Sequence, residues 1–216
     1  SGEDVSSLSC ADMGAGAGHM VKALTEAGFK SSVGYDVYQP NLDLGNRIIG
    51  AKVLKHHELN EVESLVASVS ADVVTSIFML EHIADPVGWC KSLKKNPSVR
   101  YALIAVPMLS PTVVMEMVFP HVMHRSLGLA HTHLFTKKSV AWLFQECGLE
   151  VITNWWFGAD AFDFHRNIHM HLRHRLKSPK LSELWDDMVE DSLDEIQLAL
   201  DHVRSSSEVH AIVRIR

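Results

Sequence analysis

A chain of 216 residues with 47% hydrophobic and 21% charged side chains is long enough to bury one sizeable core, so disorder is excluded and a single domain over residues 1–216 with embellishments is expected. Its net charge of −6 argues against nucleic acid as a partner, since holding a phosphate backbone takes a clear basic patch, and only the stripe from Arg166 to Lys177 is locally basic. No apolar run reaches the roughly 18–20 residues of a membrane span and nothing at the start reads as a signal peptide, so a cytoplasmic protein is expected. Cys10, Cys90 and Cys147 are odd in number and widely spaced in apolar runs, the pattern of buried free thiols. The Ser1-Gly2 start reads as an expression remnant and is set aside.

In chain order, Val5 to Met13 predicts a short apolar strand, and His19 to Ala27 a helix with Met20, Val21, Leu24 and Ala27 on one face, ended by Gly28. Ser31 to Tyr35 predicts a second strand running into Asp36, and Pro40 to Ile49 a helix closed by Gly50. Lys52 to Lys55 reads as a third strand, Glu61 to Val69 as helix, Asp72 to Phe78 as a β-branched fourth strand, Pro86 to Leu93 as helix, and Tyr101 to Val106 as a fifth strand closed by Pro107. Strands alternating with helices at this spacing give an α/β, doubly wound, mostly parallel sheet.

Beyond Pro107 the pattern loosens. Residues 108–133, rich in Met, Pro and His, predict a lid over the ligand end of the sheet. Lys137 to Cys147 returns to helix, with Val140, Leu143 and Phe144 inward, and Glu150 to Phe157 gives a sixth strand. In that strand Trp155 or Trp156 must face the core by alternation, while the other could build an aromatic wall for a sugar or another flat acceptor. Residues 160–203 predict a helical insertion, able to serve as a substrate cap or a homodimer contact, and Glu208 to Arg216 alternates as a last strand.

The run Asp12-Met13-Gly14-Ala15-Gly16-Ala17-Gly18 joins the first strand to the first helix. Glycine accepts positive φ without steric cost and leaves the backbone N–H groups at the helix start open to a ligand. A dinucleotide fingerprint, Gly-x-Gly-x-x-Gly, would need glycine where His19 stands, and Gly18 comes one residue early. The pattern Asp-x-Gly-x-Gly-x-Gly instead resembles motif I of the class I S-adenosylmethionine-dependent methyltransferases. That resemblance implies S-adenosylmethionine as cofactor, with Asp12, Gly14, Gly16 and Gly18 around its methionine part. It also implies a Rossmann-like sheet ending in an antiparallel strand and a helix ahead of the first strand, so the short start marks the chain as a fragment or a trimmed protein.

Further residues fall into the same frame. Asp36 lies at the end of the second strand, eighteen residues after Gly18, where a carboxylate can accept hydrogen bonds from both hydroxyls of a ribose. The run Ala71 to Pro86, with Asp72-Val73-Val74, Leu80-Glu81-His82 and Asp85-Pro86, resembles the fourth-strand region of a large methyltransferase subgroup. There the strand end lines the cofactor, which implies that role for Ile77 and Phe78 and places Glu81 and His82 near the reacting end. The family's acidic residue for the adenine amino group corresponds to Glu58 in His56-His57-Glu58-Leu59, and His131-Thr132-His133-Leu134-Phe135-Thr136 resembles a segment found before the sixth strand of the same subgroup. The resemblance runs from about Val5 to Phe157.

Methyl transfer from a sulfonium asks little of a protein: alignment of the acceptor and, for a hydroxyl, removal of its proton. A histidine suits that task near neutral pH. The catalytic candidates are His82, His131 and His133, with His121 and His124 next. Eight of the fourteen histidines fall between His121 and His174, and pairs such as His169/His171 or His121/His124 have spacings that can chelate. Residues 169 and 171 point about 200° apart on a helix, however, and no metal ligand is assigned. A metal-assisted methyltransferase on RNA or a catechol-like acceptor stays open, although the first acid of a Glu-x-x-Glu-His motif is Phe78 here. A non-catalytic copy of the fold is the other alternative. The leading expectation is methyl transfer to a small-molecule acceptor, a hydroxyl of a sugar or secondary metabolite.

Overall fold

In a computed structural model, residues 4–122, 124–128 and 131–215 are described; residues 1–3, three positions of the expected lid, and Arg216 lie outside them. Seven strands form one sheet in the order β3-β2-β1-β4-β5-β7-β6: β1 (Ser9–Met13), β2 (Ser31–Asp36), β3 (Leu54–His56), β4 (Val73–Ile77), β5 (Tyr101–Pro107), β6 (Glu150–Phe157) and β7 (Glu208–Arg214). The pairs β1–β2, β1–β4, β2–β3 and β4–β5 are all parallel, and the mixed sheet is completed by an antiparallel strand at its far end. The doubly wound reading therefore holds. Among the described residues no helix is long and apolar enough to cross a membrane.

Contacts along the chain gather into two compact units. The first comprises Ser1–Ala105, Lys138–Asn154 and Ala211–Arg216; the second comprises Val106–Lys137 and Trp155–His210. The first unit holds α1 (His19–Glu26), α2 (Gln39–Ile49), α3 (Val62–Ser68) and α4 (Pro86–Lys95). Helix α4 shows why these residues are helical where they are. Pro86 opens it, the Asp85 carboxylate accepts the Gly88 N–H at 2.8 Å, and Lys94 and Lys95 face the negative end of the helix dipole. Its Trp89 and Leu93 are fully buried, each worth about 1.5–3 kcal/mol of burial. Buried Asn96 ends it and donates from Nδ2 to the Val66 and Val69 carbonyls, both at 2.8 Å, satisfying acceptors that the end of α3 leaves free. Beside β2, Ala15, Val21, Leu42 and Leu54 form a second apolar cluster. All three cysteines are buried and free, as expected.

The second unit contains α5 (Pro111–Val118), α7 (Asp160–Met170), α8 (Pro179–Val189) and α9 (Leu193–His202), with α7 packed on each of the others; α6 (Lys137–Glu146) begins at the boundary. Its interior is held by polar groups. Fully buried Glu116 accepts the N–H groups of Arg125, Ser126 and Leu127 at 2.6–2.9 Å, which orders the chain after α5. Asp160 accepts the Thr112 hydroxyl and the Ser207 N–H, and Asp163 pairs with Arg125 and Arg166 at 2.7 and 3.2 Å.

Four element readings need correction. Residues 5–7 turn in a 3-10 helix rather than extending, because the Asp4 carboxylate captures the Ser6 N–H. On α1 only Val21 is buried, and Ala27 is exposed. Strand β3 starts two residues later than expected, where Asn46 fixes Leu54 through both its N–H and its carbonyl. Neither tryptophan of β6 faces a core: Trp155 is exposed and Trp156 half-buried, since β6 is the outermost strand.

Candidate functional site

At the end of β1 the chain turns back toward β2 through its glycines. The N–H groups of Gly14 and Ala15 both reach the Tyr35 carbonyl, at 2.9 and 3.0 Å, and Gly16 N–H donates to Asp36 Oδ2 at 2.8 Å. Gly14 (φ +78°) and Gly16 (φ +53°) adopt the left-handed backbone that such a turn demands. A Cβ on Gly14 would stand 2.9 Å from Met79 Cγ, so the turn packs directly on the second residue after β4. Gly18 begins α1 against Leu54 and plays a packing part.

Asp36 is oriented from both sides. Its Oδ2 takes the Gly16 N–H and its Oδ1 the Tyr38 N–H at 2.9 Å. A carboxylate has about four lone-pair directions, so each oxygen keeps one for a further donor, which is what two vicinal ribose hydroxyls supply. A cavity of about 280 Å³ opens beside it, lined by Gly14, Asp36, Val37, Phe78, Met79 and His82, and closed by His57, Leu59, Val62 and Ile83. An adjoining cavity of about 590 Å³ shares Leu59, Val62 and Ile83 and is lined by Glu58 as well. The apolar walls suit an adenine ring and the paired carboxylate oxygens suit its sugar, so the residues present fit S-adenosylmethionine.

The end of β4 supplies the opposite wall. Ile77 pairs with Ala105 as the last strand residue and is absent from the lining, whereas Phe78 and Met79 belong to it. Phe78 holds φ +53°, uncommon for an aromatic residue, while its N–H donates to the Ala105 carbonyl at 3.0 Å; such strain persists where its surroundings fix it and gathers at ligand sites. The next turn, Leu80–His82, presents His82 to the cavity with its side chain 39% exposed. Glu81 is 1% exposed, its Oε1 lies 3.8 Å from His82 Nε2, and burial pushes its carboxyl up to about 7. Asp12, 3% exposed, accepts the Thr75 hydroxyl at 2.6 Å; burial raises it to about 6, with the Thr75 hydrogen bond opposing and the Asp36 charge adding.

The geometry thus brings Gly14, Asp36, Phe78 and His82 together, with Gly16 bonded to Asp36 and Asp12 one residue behind Met13. Glu58 lines the adjoining cavity, and its N–H donates to Glu61 Oε2 at 3.2 Å. His131 and His133 belong to the second unit, where His131 Nδ1 lies 3.0 Å from the Ser126 carbonyl and His133 Nδ1 2.8 Å from the Thr132 hydroxyl. Sequence reasoning missed His57 and Met79. Both stood beside residues it had singled out, and only the turn geometry after each strand tells which neighbour faces the cavity. Asp36→Ala is expected to weaken adenosine and S-adenosylmethionine binding by about 1–3 kcal/mol, measured by calorimetry; unchanged affinity would remove Asp36 from the site.

The sequence pattern of the methyltransferase domain family matches residues 1–154. Solved structures similar in fold include a methyltransferase of Galdieria sulphuraria provisionally named for sarcosine and dimethylglycine, with TM-score 0.61 and 14% identity over 96% of this chain and 78% of that one. An S-adenosylmethionine-dependent methyltransferase of Mesorhizobium loti aligns with TM-score 0.59 and 13% identity over 98% and 93%, and one of Archaeoglobus fulgidus with 0.57 and 14% over 95% and 85%. At such identities these likenesses speak for the fold alone. No curated protein matches the sequence. The chain belongs to the methyltransferase domain family, as a class I enzyme that uses S-adenosylmethionine.

Proposed function

We propose that this enzyme methylates a hydroxyl group of a small-molecule acceptor, a sugar or secondary metabolite, with His82 as general base. The carrying observation is His82 on the same cavity wall as Phe78 and Met79, half-exposed, with the buried Glu81 carboxyl 3.8 Å away. Bound S-adenosylmethionine supplies an activated methyl group, and the remaining work falls to the chain. Asp36, held by Gly16 and Tyr38, orients the sugar of the cofactor. Asp12, Gly14, Gly16 and Gly18 shape the turn beside it, Phe78 and Met79 form the wall, and Glu58 is assigned to the adenine side through the adjoining cavity. His82 takes the acceptor's hydroxyl proton, and its charge then meets the Glu81 carboxylate.

The net charge of −6 disfavours a polyanionic acceptor. In the second unit, Trp155 and Phe157 stand two apart on β6 and both pack at a tilt against His210, at 5.4 and 4.6 Å between ring centroids. Such an exposed aromatic face suits a sugar or a flat ring. The assay is turnover of labelled S-adenosylmethionine across a panel of hydroxyl acceptors. His82→Gln is expected to lower kcat by about 10²–10⁴-fold with the cofactor Kd unchanged. His131→Ala and His133→Ala, run in parallel, decide among the three candidates: full activity in His82→Gln with loss in either of the others transfers the base to the second unit.

A further inference from the structure

We propose that α7 and α8 of the second unit carry a binding site for a divalent metal ion of the zinc type, made by His165, His169 and Asp186. The two histidines are four residues apart on α7, which puts both rings on one helix face. Asp186 reaches them from α8. His169 Nδ1 lies 2.8 and 2.9 Å from the two oxygens of Asp186, and His165 Nε2 lies 3.5 Å from Oδ1. One ligand atom from each of the three sits within 4.8 Å of the others, and no ion is present: the candidate cation site is empty.

His165 is the residue that most needs an ion. It is 8% exposed, its ring stacks on Trp185 with 16° between the planes, and its buried Nδ1 has no hydrogen-bond partner. At 3.5 Å its Nε2 is beyond hydrogen-bond reach of Asp186. A buried ring nitrogen left without a partner is costly, and a structural histidine would normally be rotated so that it finds one. The separation has a direct meaning for an ion. With metal–nitrogen and metal–oxygen bonds of about 2.0–2.2 Å, two ligands of a tetrahedron stand roughly 3.4 Å apart. His165 Nε2 and Asp186 Oδ1 are thus spaced as two ligands of one ion, and a small opening of the His169–Asp186 pair admits the third. Two imidazoles and one carboxylate are the donor set of a zinc site that keeps a fourth position for water. The half-buried Trp185 covers one side and donates from Nε1 to the His165 carbonyl at 3.3 Å, which ties α8 to α7 beside the ligands. The ion would clamp α7 to α8.

The test uses the whole chain after chelation and dialysis. Zinc(II) titrated calorimetrically is expected to bind with one-to-one stoichiometry, and cobalt(II) to give the intense visible bands of a tetrahedral site. His165→Gln and Asp186→Asn, which keep size and packing, should each weaken zinc affinity at least tenfold and bleach the cobalt bands, while His121→Ala should change neither. Circular dichroism of both variants checks that the helices are retained; His169→Ala, a more exposed position, provides a second arm if either misfolds. Absence of zinc binding, or binding equally tight in His165→Gln, Asp186→Asn and His169→Ala, overturns the proposal, and loss in His121→Ala alone moves the ion to the neighbouring His121–His171 pair.

Discussion

A Gly16→Val chain is expected to fold and to lose its cofactor. A Cβ built on Gly16 meets no atom of the protein within 4 Å, so a side chain can begin there without displacing a neighbour. The backbone there is left-handed, φ +53°, and a β-branched residue forced into it costs about 1–3 kcal/mol. That sum lowers the melting temperature without unfolding the chain. The same side chain would stand where the cofactor must approach the turn, beside the Gly16 N–H that steadies Asp36 at 2.8 Å. The Kd for S-adenosylmethionine should rise at least about 100-fold, or roughly 2.7 kcal/mol. Gly14→Val provides the contrast: its Cβ falls 2.9 Å from Met79 Cγ, so stability and binding are lost together. Calorimetric titration alongside thermal unfolding separates the two. Wild-type affinity in a folded Gly16→Val protein would sink the assignment of this turn to the cofactor.

The glycine turn, Asp36 and the Leu80-Glu81-His82 turn were legible because each is defined by local spacing. A strand, a tight turn and a helix lie within a dozen residues, and the carboxylate that serves them follows at the tip of the next strand. What spacing leaves open is direction. Ile77 and Phe78 are neighbours at the end of β4, and strand alternation alone would favour either. Phe78's left-handed backbone turns it and Met79 into the cavity while Ile77 stays in the ladder beside Ala105. Similarly, His56-His57-Glu58 offered three polar candidates, and the turn after β3 puts His57 on one cavity and Glu58 on the next.

The fold shows the same division between local and long-range information. Parallel strands buried by helices declare themselves as β-branched runs, as Val73-Val74-Thr75 does, and the order of elements then constrains the sheet. The Trp155-Trp156 pair misled because alternation assumes that one face of a strand is buried, and an edge strand need not have one. The His165–His169 pair was equally readable as a four-residue helical spacing. It became informative only when α8 brought Asp186 to it, a contact between residues 17 and more apart in sequence. The polar frame of the second unit, built on Glu116, Asp160 and Asp163, has no local signature at all: a buried acid and a surface acid look alike until their partners are known.

The contribution of Asp12 and Glu81 to stability should fall as pH rises from about 4 to 8, the inverse of what an ionised, paired carboxylate gives. Burial holds Asp12 near 6 rather than 3.8, and Glu81 near 7 rather than 4.5. Because each folded-state value lies above the unfolded one, the unfolded chain releases these protons first. Their contribution is fully present below pH 4 and is lost as pH climbs through about 6 for Asp12 and about 7 for Glu81. At about 1.4 kcal/mol per pH unit, each shift corresponds to roughly 3 kcal/mol, and solvent screening takes little away because the side chains are 3% and 1% exposed. Asp72 works in another window: its hydrogen bonds from Ser9 lower its carboxyl below 3.8, so its contribution disappears only under stronger acid. Urea unfolding of the cofactor-free chain at pH 5 and pH 8 measures the effect. Asp12→Asn keeps an oxygen for the Thr75 hydroxyl and removes the charge, so its advantage over the wild type should be clearly larger at pH 8 than at pH 5; Glu81→Gln should do the same with a higher midpoint. A variant no more stable than wild type at pH 8 would mean that the carboxyl ionises there without cost. If Glu81→Gln gains stability yet loses turnover while His82 remains in place, the buried acid is kept for the reaction at the expense of the fold.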